Sequence, residues 1–318
     1  MSNAVLSKTK YGEIKPKSTS AWTTFYKQRS LYAMVLPGML FFLLFRYLPL
    51  TGSIIAFQDY NLFKGIMNSD WVGFKWFEQF FTYPNMRRVF VNTLIISLYQ
   101  LIFSFPAPIL LALLLNEVRR ARLKGTVQTI VYLPHFLSWT IVFGLTHMVL
   151  SLNSGLLNQL LQVLGFDAIN FLMKAEAFRS IIILSGIWKE MGWIAIIFLA
   201  ALVGISPTLY ESAKIDGAGR WQQFVHITWQ GIKPAIIIML LLKLGVILDS
   251  GVDQIYVFLN PMTLSTGDVL DTYTYRTGVV EGHYSLTTAI GLFKSVIGFV
   301  LLALANRLSK AVAGEGLY

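Results

Sequence analysis

The chain has 318 residues, of which 55% are hydrophobic and only 13% charged, and its mean hydropathy is +0.60. A soluble domain carries about 25% charged residues, so this composition excludes one. The absence of cysteine excludes a disulfide framework, thiol chemistry and a cysteine metal site.

Apolar blocks recur along the chain, each long enough to cross the ~30 Å hydrocarbon core of a bilayer as a helix. They predict an all-α integral membrane protein with six transmembrane helices. The net charge of +10 follows that topology. Lys8, Lys10, Lys15, Lys17, Lys27 and Arg29 precede the first span, and Arg119, Arg120, Arg122 and Lys124 separate the second from the third. Lys214, Arg220 and Lys233 lie between the fourth and fifth, and Arg307 and Lys310 follow the sixth. Six spans put all four groups on one side. The positive-inside rule makes that side, with both termini, cytoplasmic. The charge therefore sets topology and calls for no nucleic-acid partner.

Residues 1–30 are polar and lack a signal-peptide core. Trp22, Phe25 and Tyr26 suggest a short interfacial helix there. A six-helix transmembrane domain over 31–310 follows, and 311–318 form a cytoplasmic tail. The first span covers Leu31 to Phe57 and contains Pro37 and Pro49. An outer loop, 58–86, carries Trp71, Phe74, Trp76, Phe77, Phe80 and Phe81, spaced for a helix lying on the membrane surface. The second span, Val89 to Leu115, should kink at Pro106 and Pro108. The third covers Val127 to Leu150 with Pro134 inside, and Leu156 to Leu164 form a short outer helix. The fourth, fifth and sixth spans cover Arg179 to Ile205, Ala235 to Leu259, and Tyr284 to Leu308.

Between the fourth and fifth spans lies the longest polar interval of the second half, Tyr210 to Pro234. It reads as a first short helix from Glu211 to Asp216, a glycine corner at Gly217-Ala218-Gly219, and a second helix from Arg220 to Ile232. An ordinary cytoplasmic loop would look similar.

Chemistry-bearing motifs are sparse. No GxxxxGK[ST] phosphate loop occurs, and Gln222 breaks the dinucleotide pattern begun by Gly217 and Gly219. His135, His147, His226 and His283 are far apart and form no HExxH frame. The chain is therefore expected to be non-catalytic, with no cofactor or metal of its own.

Ionisable residues nevertheless fall inside spans: Lys189 and Glu190 in the fourth, Lys243 and Asp249 in the fifth, Lys294 in the sixth. A central charge costs about 2.5–3.5 kcal/mol to insert, so such groups face a bundle interior or a wet cavity. They read equally as a substrate pathway or as structural pairs, with Asp249 a partner for Lys243. Trp188, Trp193, Tyr132, Trp139 and Tyr256 surround them. Such aromatics suit stacking on sugar faces, and they also suit plain packing.

The polar interval resembles the EAA loop of binding-protein-dependent ABC importer permeases, E-A-A-x3-G-x9-I-x-L-P. Here Glu211-Ser212-Ala213, Gly217 and Ile227 stand in register, while Trp229-Gln230 replace the final Leu-Pro. The wider chain is similar to maltose-type oligosaccharide permeases, within them the polysaccharide (LplB-like) branch. The stretches 56–61, Leu133-Pro134-His135-Phe136, 253–257 and 289–295 carry that similarity.

The resemblance implies a heterodimer with a second homologous permease subunit and two ABC ATPase subunits that hold ATP and Mg. An extracellular solute-binding lipoprotein would deliver the oligosaccharide, within a lipid membrane of a bacterial, Gram-positive type. It also implies that residues 206–234 dock on the ATPase. Glu211 would accept hydrogen bonds or a charge from the ATPase, Ala213 would allow close approach, Gly217 would make the corner and Ile227 would pack, with Ser212 and Asp216 also among the coupling residues. The candidate pathway comprises Trp188, Lys189, Glu190, Trp193, Lys243, Asp249, Tyr256 and Lys294. If Lys189, Lys243 and Lys294 face the cavity, an acidic oligosaccharide suits them. Two other readings are a stand-alone proton-coupled secondary transporter using Lys189, Glu190 and Asp249, and a membrane sensor or scaffold. The lack of a sizeable soluble domain weighs against the last.

Overall fold

A computed structural model describes residues 6–8, 14–16 and 28–313 of the chain. The expected interfacial helix at Trp22, Phe25 and Tyr26 lies outside them. Among the described residues five helices are long and apolar enough to span a bilayer: Arg29–Phe57, Asn85–Glu117, Ala175–Val203, Arg220–Gly245 and Tyr284–Ala311. A bent pair, Ala121–Phe136 with Trp139–Leu150, makes the sixth. The fold is that of an all-α integral membrane protein. The second span ends, the third begins, the fourth ends and the fifth begins at one end of the bundle, called here the loop end.

The breaks in these helices have local causes. Pro106 has no N–H and crowds the carbonyl four residues back. The second span meets this with a π turn over Gln100–Ser104, closed by Phe105 N–H donating to the Gln100 carbonyl at 3.0 Å. The expected kink is thus a π bulge, a usual way of absorbing such a defect.

The third span departs from the continuous helix expected from its hydropathy. Pro134 tightens Leu133–Phe136 into a 3-10 turn, the chain extends through Leu137 and Ser138, and the helix restarts at Trp139 after a bend of 108°. Ser138 Oγ caps the restart by accepting from Ile141 N–H at 3.3 Å.

The fifth span is also displaced from its expected limits. It begins at Arg220, continues through Pro234 and stops at Gly245. Residues 246–251 form a turn, Gly251 adopts φ +84°, and a separate short helix covers Val252–Phe258. The interruption coincides with Asp249-Ser250-Gly251, a turn-forming stretch inside the expected span that was not singled out.

The fourth span is continuous from Ala175 to Val203 and forms the axis of the bundle. At the loop end it packs Ala195, Phe198, Leu199 and Leu202 against Ile109, Ala112 and Leu115 of the second span and Ile232 of the fifth. Further along, Phe178 and Ile182 meet Ile96, Val142, Ile255 and Phe258. Gly192 permits its closest approach to the third span, since a Cβ there would overlap the Val131 carbonyl.

The first span is different. No residue in its apolar window is buried, and only its far end, Thr51–Phe57, rests on the last span. The outer loop then returns in a short strand pair, Gln58–Asp59 with Asp70–Trp71, and the helix Lys75–Thr82. Trp71, Phe74 and Phe77 gather around Phe57 at 5.8, 5.5 and 5.4 Å, while Phe80 is buried against Phe293 at 4.9 Å. The helix expected to anchor at the membrane surface is therefore partly a packing element.

Candidate functional site

At the loop end, Pro207–Ile215 is a helix that finishes at Gly217, where φ is +78°. Gly217 N–H donates to the Lys214 carbonyl at 3.1 Å and Ala218 N–H to the Ala213 carbonyl at 2.8 Å. This paired arrangement is the Schellman stop, and glycine fits its left-handed residue without a Cβ penalty. Gly219 N–H then donates to Gln222 Oε1 at 2.8 Å, which opens the next helix.

That second helix begins at Arg220 as expected, but it does not end at Ile232. A π turn over Phe224–Thr228 passes it directly into the fifth span. Trp229 and Gln230, which replace Leu-Pro, are helical and exposed. Tyr210 Oη and Thr228 Oγ1 lie 2.9 Å apart and clasp the two arms. Glu211, Ser212 and Asp216 are exposed, and Ala213 and Ile227 are half-buried. Ile215 and Trp221 stand 87% and 74% exposed at the tip. An exposed apolar pair was not singled out from the sequence, where both residues look like ordinary members of amphipathic helices.

Midway along the fourth span lies a charged layer. Lys189, only 5% exposed, reaches Glu190 Oε1 at 3.1 Å and donates to the His135 carbonyl at 2.6 Å. Glu190 Oε2 lies 2.8 Å from His135 Nδ1. Trp193 stacks flat on the His135 ring at 4.5 Å, and the Trp139 face lies 5.3 Å from Lys189 Nζ. The bend in the third span makes this possible, because it turns His135 and Trp139 toward one level of the fourth helix. His135 was absent from the expected pathway. Its only signal was its place beside Pro134 in the Leu-Pro-His-Phe stretch.

Other expected partners change. Lys243 forms no ion pair with Asp249: the helix stops at Gly245, and Asp249 lies beyond it in the turn, where it faces Lys294. Lys243 Nζ donates instead to Gln100 Oε1 at 3.3 Å. Asp249 lies 2.6 Å from Lys294 Nζ, and Lys294 also contacts Asp271. Asp271 Oδ2 in turn accepts from Ser250 N–H at 2.8 Å. This cluster ties the interruption in the fifth span to the last span. On the outer segment, Asp268 and Arg276 pair at 2.8 Å, and that hydrogen bond holds the guanidinium above its usual pKa.

Two cavities flank the charged layer. One of about 500 Å³, away from the loop end, is lined by Ser138, Trp139, Lys189, Asp253, Tyr256 and Tyr275. Tyr256 and Tyr275 meet edge to face at 4.9 Å along its wall. The other, about 200 Å³, extends toward the loop end between Gln100, Ser104, Trp139, Glu190, Lys243 and Gln254. Trp139 borders both. Interrupted helices with exposed polar ends commonly bracket a midplane binding site, and the breaks in the third and fifth spans do so here.

Trp188 does not join these cavities. Successive helical residues point about 100° apart, so Trp188 lines a separate apolar groove of about 640 Å³ with Val142, Leu145, Met148, Ile181 and Leu184. Lys294 and Asp249 likewise line neither cavity. Of the expected pathway residues, the structure thus gathers Lys189, Glu190, Trp193, Lys243 and Tyr256 around one level and sets the others apart.

Residues 104–314 match the family described as the binding-protein-dependent transport system inner membrane component. Together with six spans and a glycine-cornered loop between the fourth and fifth, this defines an ABC importer permease. The chain belongs to that family. It is 48% identical over 292 residues to the polygalacturonan/rhamnogalacturonan transport system permease protein YteP of Bacillus subtilis, covering 92% of this chain and 91% of that protein. Protein LplB of the same organism is 44% identical over 302 residues, covering 95% of each. Among solved structures, a bacterial ABC transporter involved in import of the acidic polysaccharide alginate superposes with a TM-score of 0.85 at 42% identity. That match covers 92% of this chain and 99% of the other. The bacterial alginate ABC transporter in complex with an alginate pentasaccharide-bound periplasmic protein gives 0.86 at 41% identity, with 93% and 99% covered.

Proposed function

We propose that this chain is the permease subunit of an importer that carries polysaccharide-derived, acidic oligosaccharides into the cytoplasm. ATP hydrolysis would take place on two partner ATPase subunits, which hold ATP and Mg. A second homologous permease completes the membrane body, and an extracellular solute-binding protein delivers the sugar. The similarity to permeases and structures named for polygalacturonan and alginate supports the substrate class. The loop end is read as cytoplasmic on the distribution of lysine and arginine.

The observation that carries the coupling role is the continuity of the loop's second helix with the fifth span. A helix that is seated on an ATPase at one end and borders the cavities at the other transmits a displacement directly. Glu211, Ser212 and Asp216 supply the polar contacts to the ATPase, with Ala213 permitting close approach. Gly217 holds the corner and Ile227 packs the helix. Closure of the ATPases on ATP then biases two packings of the bundle, which is alternating access by population shift. In this reading Glu190 and Asp249 serve as ion-pair partners of Lys189 and Lys294.

The test is uptake by the assembled complex carrying Glu211→Lys with Gly217→Pro. The expected result is loss of ATP-dependent uptake and weakened ATPase association, with membrane insertion intact. Normal uptake by the correctly inserted double variant would overturn the coupling role.

A further inference from the structure

Lys189, Lys243 and Lys294 are not equivalent. Lys189 is neutralised by Glu190 at 3.1 Å, and Lys294 by Asp249 at 2.6 Å and by Asp271. Among the described residues Lys243 has no carboxylate within ion-pair distance, Asp249 acting on it only from further away; its polar contact is the neutral amide oxygen of Gln100 at 3.3 Å. A lysine inside a membrane bundle without a counter-ion is costly, and it stays charged only where water or an anion reaches it. Lys243 lines the cavity of about 200 Å³ on the loop side of Trp139, so an anion can reach it there.

We propose that Lys243 is the residue that reads the substrate's carboxylate during translocation, with Gln100 holding its ammonium in place between passages. The proposal rests on the importer reading above and narrows it to one side chain and one ligand group, a uronate carboxylate. Gln100 is suited to its role. Its Oε1 accepts from Lys243 and its Nε2 donates to the Ser250 carbonyl at 3.4 Å, which fixes the amide across the interrupted fifth span. A carboxylate makes a stronger, charge-assisted hydrogen bond to the ammonium than this amide does. It therefore displaces Gln100 when a uronate enters and is displaced in turn as the sugar leaves.

Glu190 lines the same cavity, but Lys189 and His135 already engage both of its oxygens, so it opposes the incoming anion weakly. Ser104 and Gln254 supply polar surface for hydroxyls, and the Trp139 ring offers a stacking face at the entrance from the larger cavity. Lys189 and Lys294 are excluded from the recognition role, because a substrate carboxylate would have to break an existing ion pair to reach either.

The experiment uses the full importer in proteoliposomes, with its binding protein, and an oligogalacturonate as probe. A neutral oligogalactan serves for comparison, and binding-protein-stimulated ATP hydrolysis is read in parallel. Lys243→Gln is expected to lower oligogalacturonate uptake about tenfold, the loss that accompanies conversion of a charge-assisted hydrogen bond to a neutral one. ATP hydrolysis should stay within about twofold, and Lys243→Arg should restore most of the uptake. Unchanged oligogalacturonate uptake in Lys243→Gln overturns the proposal, as does equal loss of uptake and hydrolysis in both variants, which marks a structural role. If the unaltered complex imports only the neutral sugar, the importer reading stands without its acidic substrate class and the Lys243 proposal falls. If it imports neither, both fall.

Discussion

Replacing Glu190 by Gln removes the carboxylate that faces a lysine only 5% exposed. Lys189 would keep the His135 carbonyl at 2.6 Å and the Trp139 face at 5.3 Å, neither of which carries a full negative charge. Breaking one side of a buried ion pair typically costs 3–5 kcal/mol because the other charge is stranded. Here the Glu190 side chain is 33% exposed, so water already screens part of the interaction. The expected cost is therefore lower, about 2–3 kcal/mol. Lys189→Met should be milder, about 1 kcal/mol, because Glu190 then retains His135 and solvent while the buried charge is gone. The double variant should recover part of the Glu190→Gln loss, with a coupling of about 1–2 kcal/mol. Denaturant unfolding of the assembled complex in detergent, followed by tryptophan fluorescence, reads all four proteins, since Trp139 and Trp193 border the layer. A larger cost for Lys189→Met than for Glu190→Gln, or strict additivity of the two, would refute the assignment of the stranded charge to Lys189.

The Lys294 cluster predicts an order between two similar substitutions. Asp271 is 17% exposed and also accepts from Ser250 N–H, whereas Asp249 is 61% exposed. Asp271→Asn should therefore destabilise the complex by about 2 kcal/mol and Asp249→Asn by less than about 1 kcal/mol; equal midpoints in the same titration would contradict the burial argument. Gly192→Val should force the third and fourth spans apart at Val131 and Tyr132, lowering stability by about 3 kcal/mol or preventing assembly. A folded complex of unaltered thermal midpoint would show that this contact is not close.

Of the two proposed sites, the coupling loop was much the more legible. Its features are local: Gly217 supplies a left-handed residue, Gln222 caps the next helix, and both act within a few residues of chain. Spacing in sequence is then nearly the same as geometry. The exception is the far end of the loop, where the Arg220 helix runs past Ile232 into the fifth span, through Pro234. In the structure it is accommodated inside the helix, behind the π turn at Phe224–Thr228.

The charged residues were visible as anomalies in apolar runs, but their partners were not. Lys243 and Asp249 stand close in one run of sequence, but the helix ends at Gly245, and Asp249 belongs to Lys294 and Lys243 to Gln100. Lys189 and Trp188 are adjacent in sequence yet face a polar cavity and an apolar groove respectively. His135 acquires its role only because a 108° bend turns it toward Glu190.

The sequence by itself determined the membrane class, the six apolar spans and the glycine corner between the fourth and fifth. These depend on bulk hydrophobicity and on turn chemistry over short distances. Tertiary structure alone decided where the third and fifth helices break, which charges neutralise one another and which cavity-lining lysine is left without a carboxylate partner. A hydrocarbon environment makes any chain look uniformly apolar, and pairing across 50 to 150 residues of sequence depends on how the spans pack.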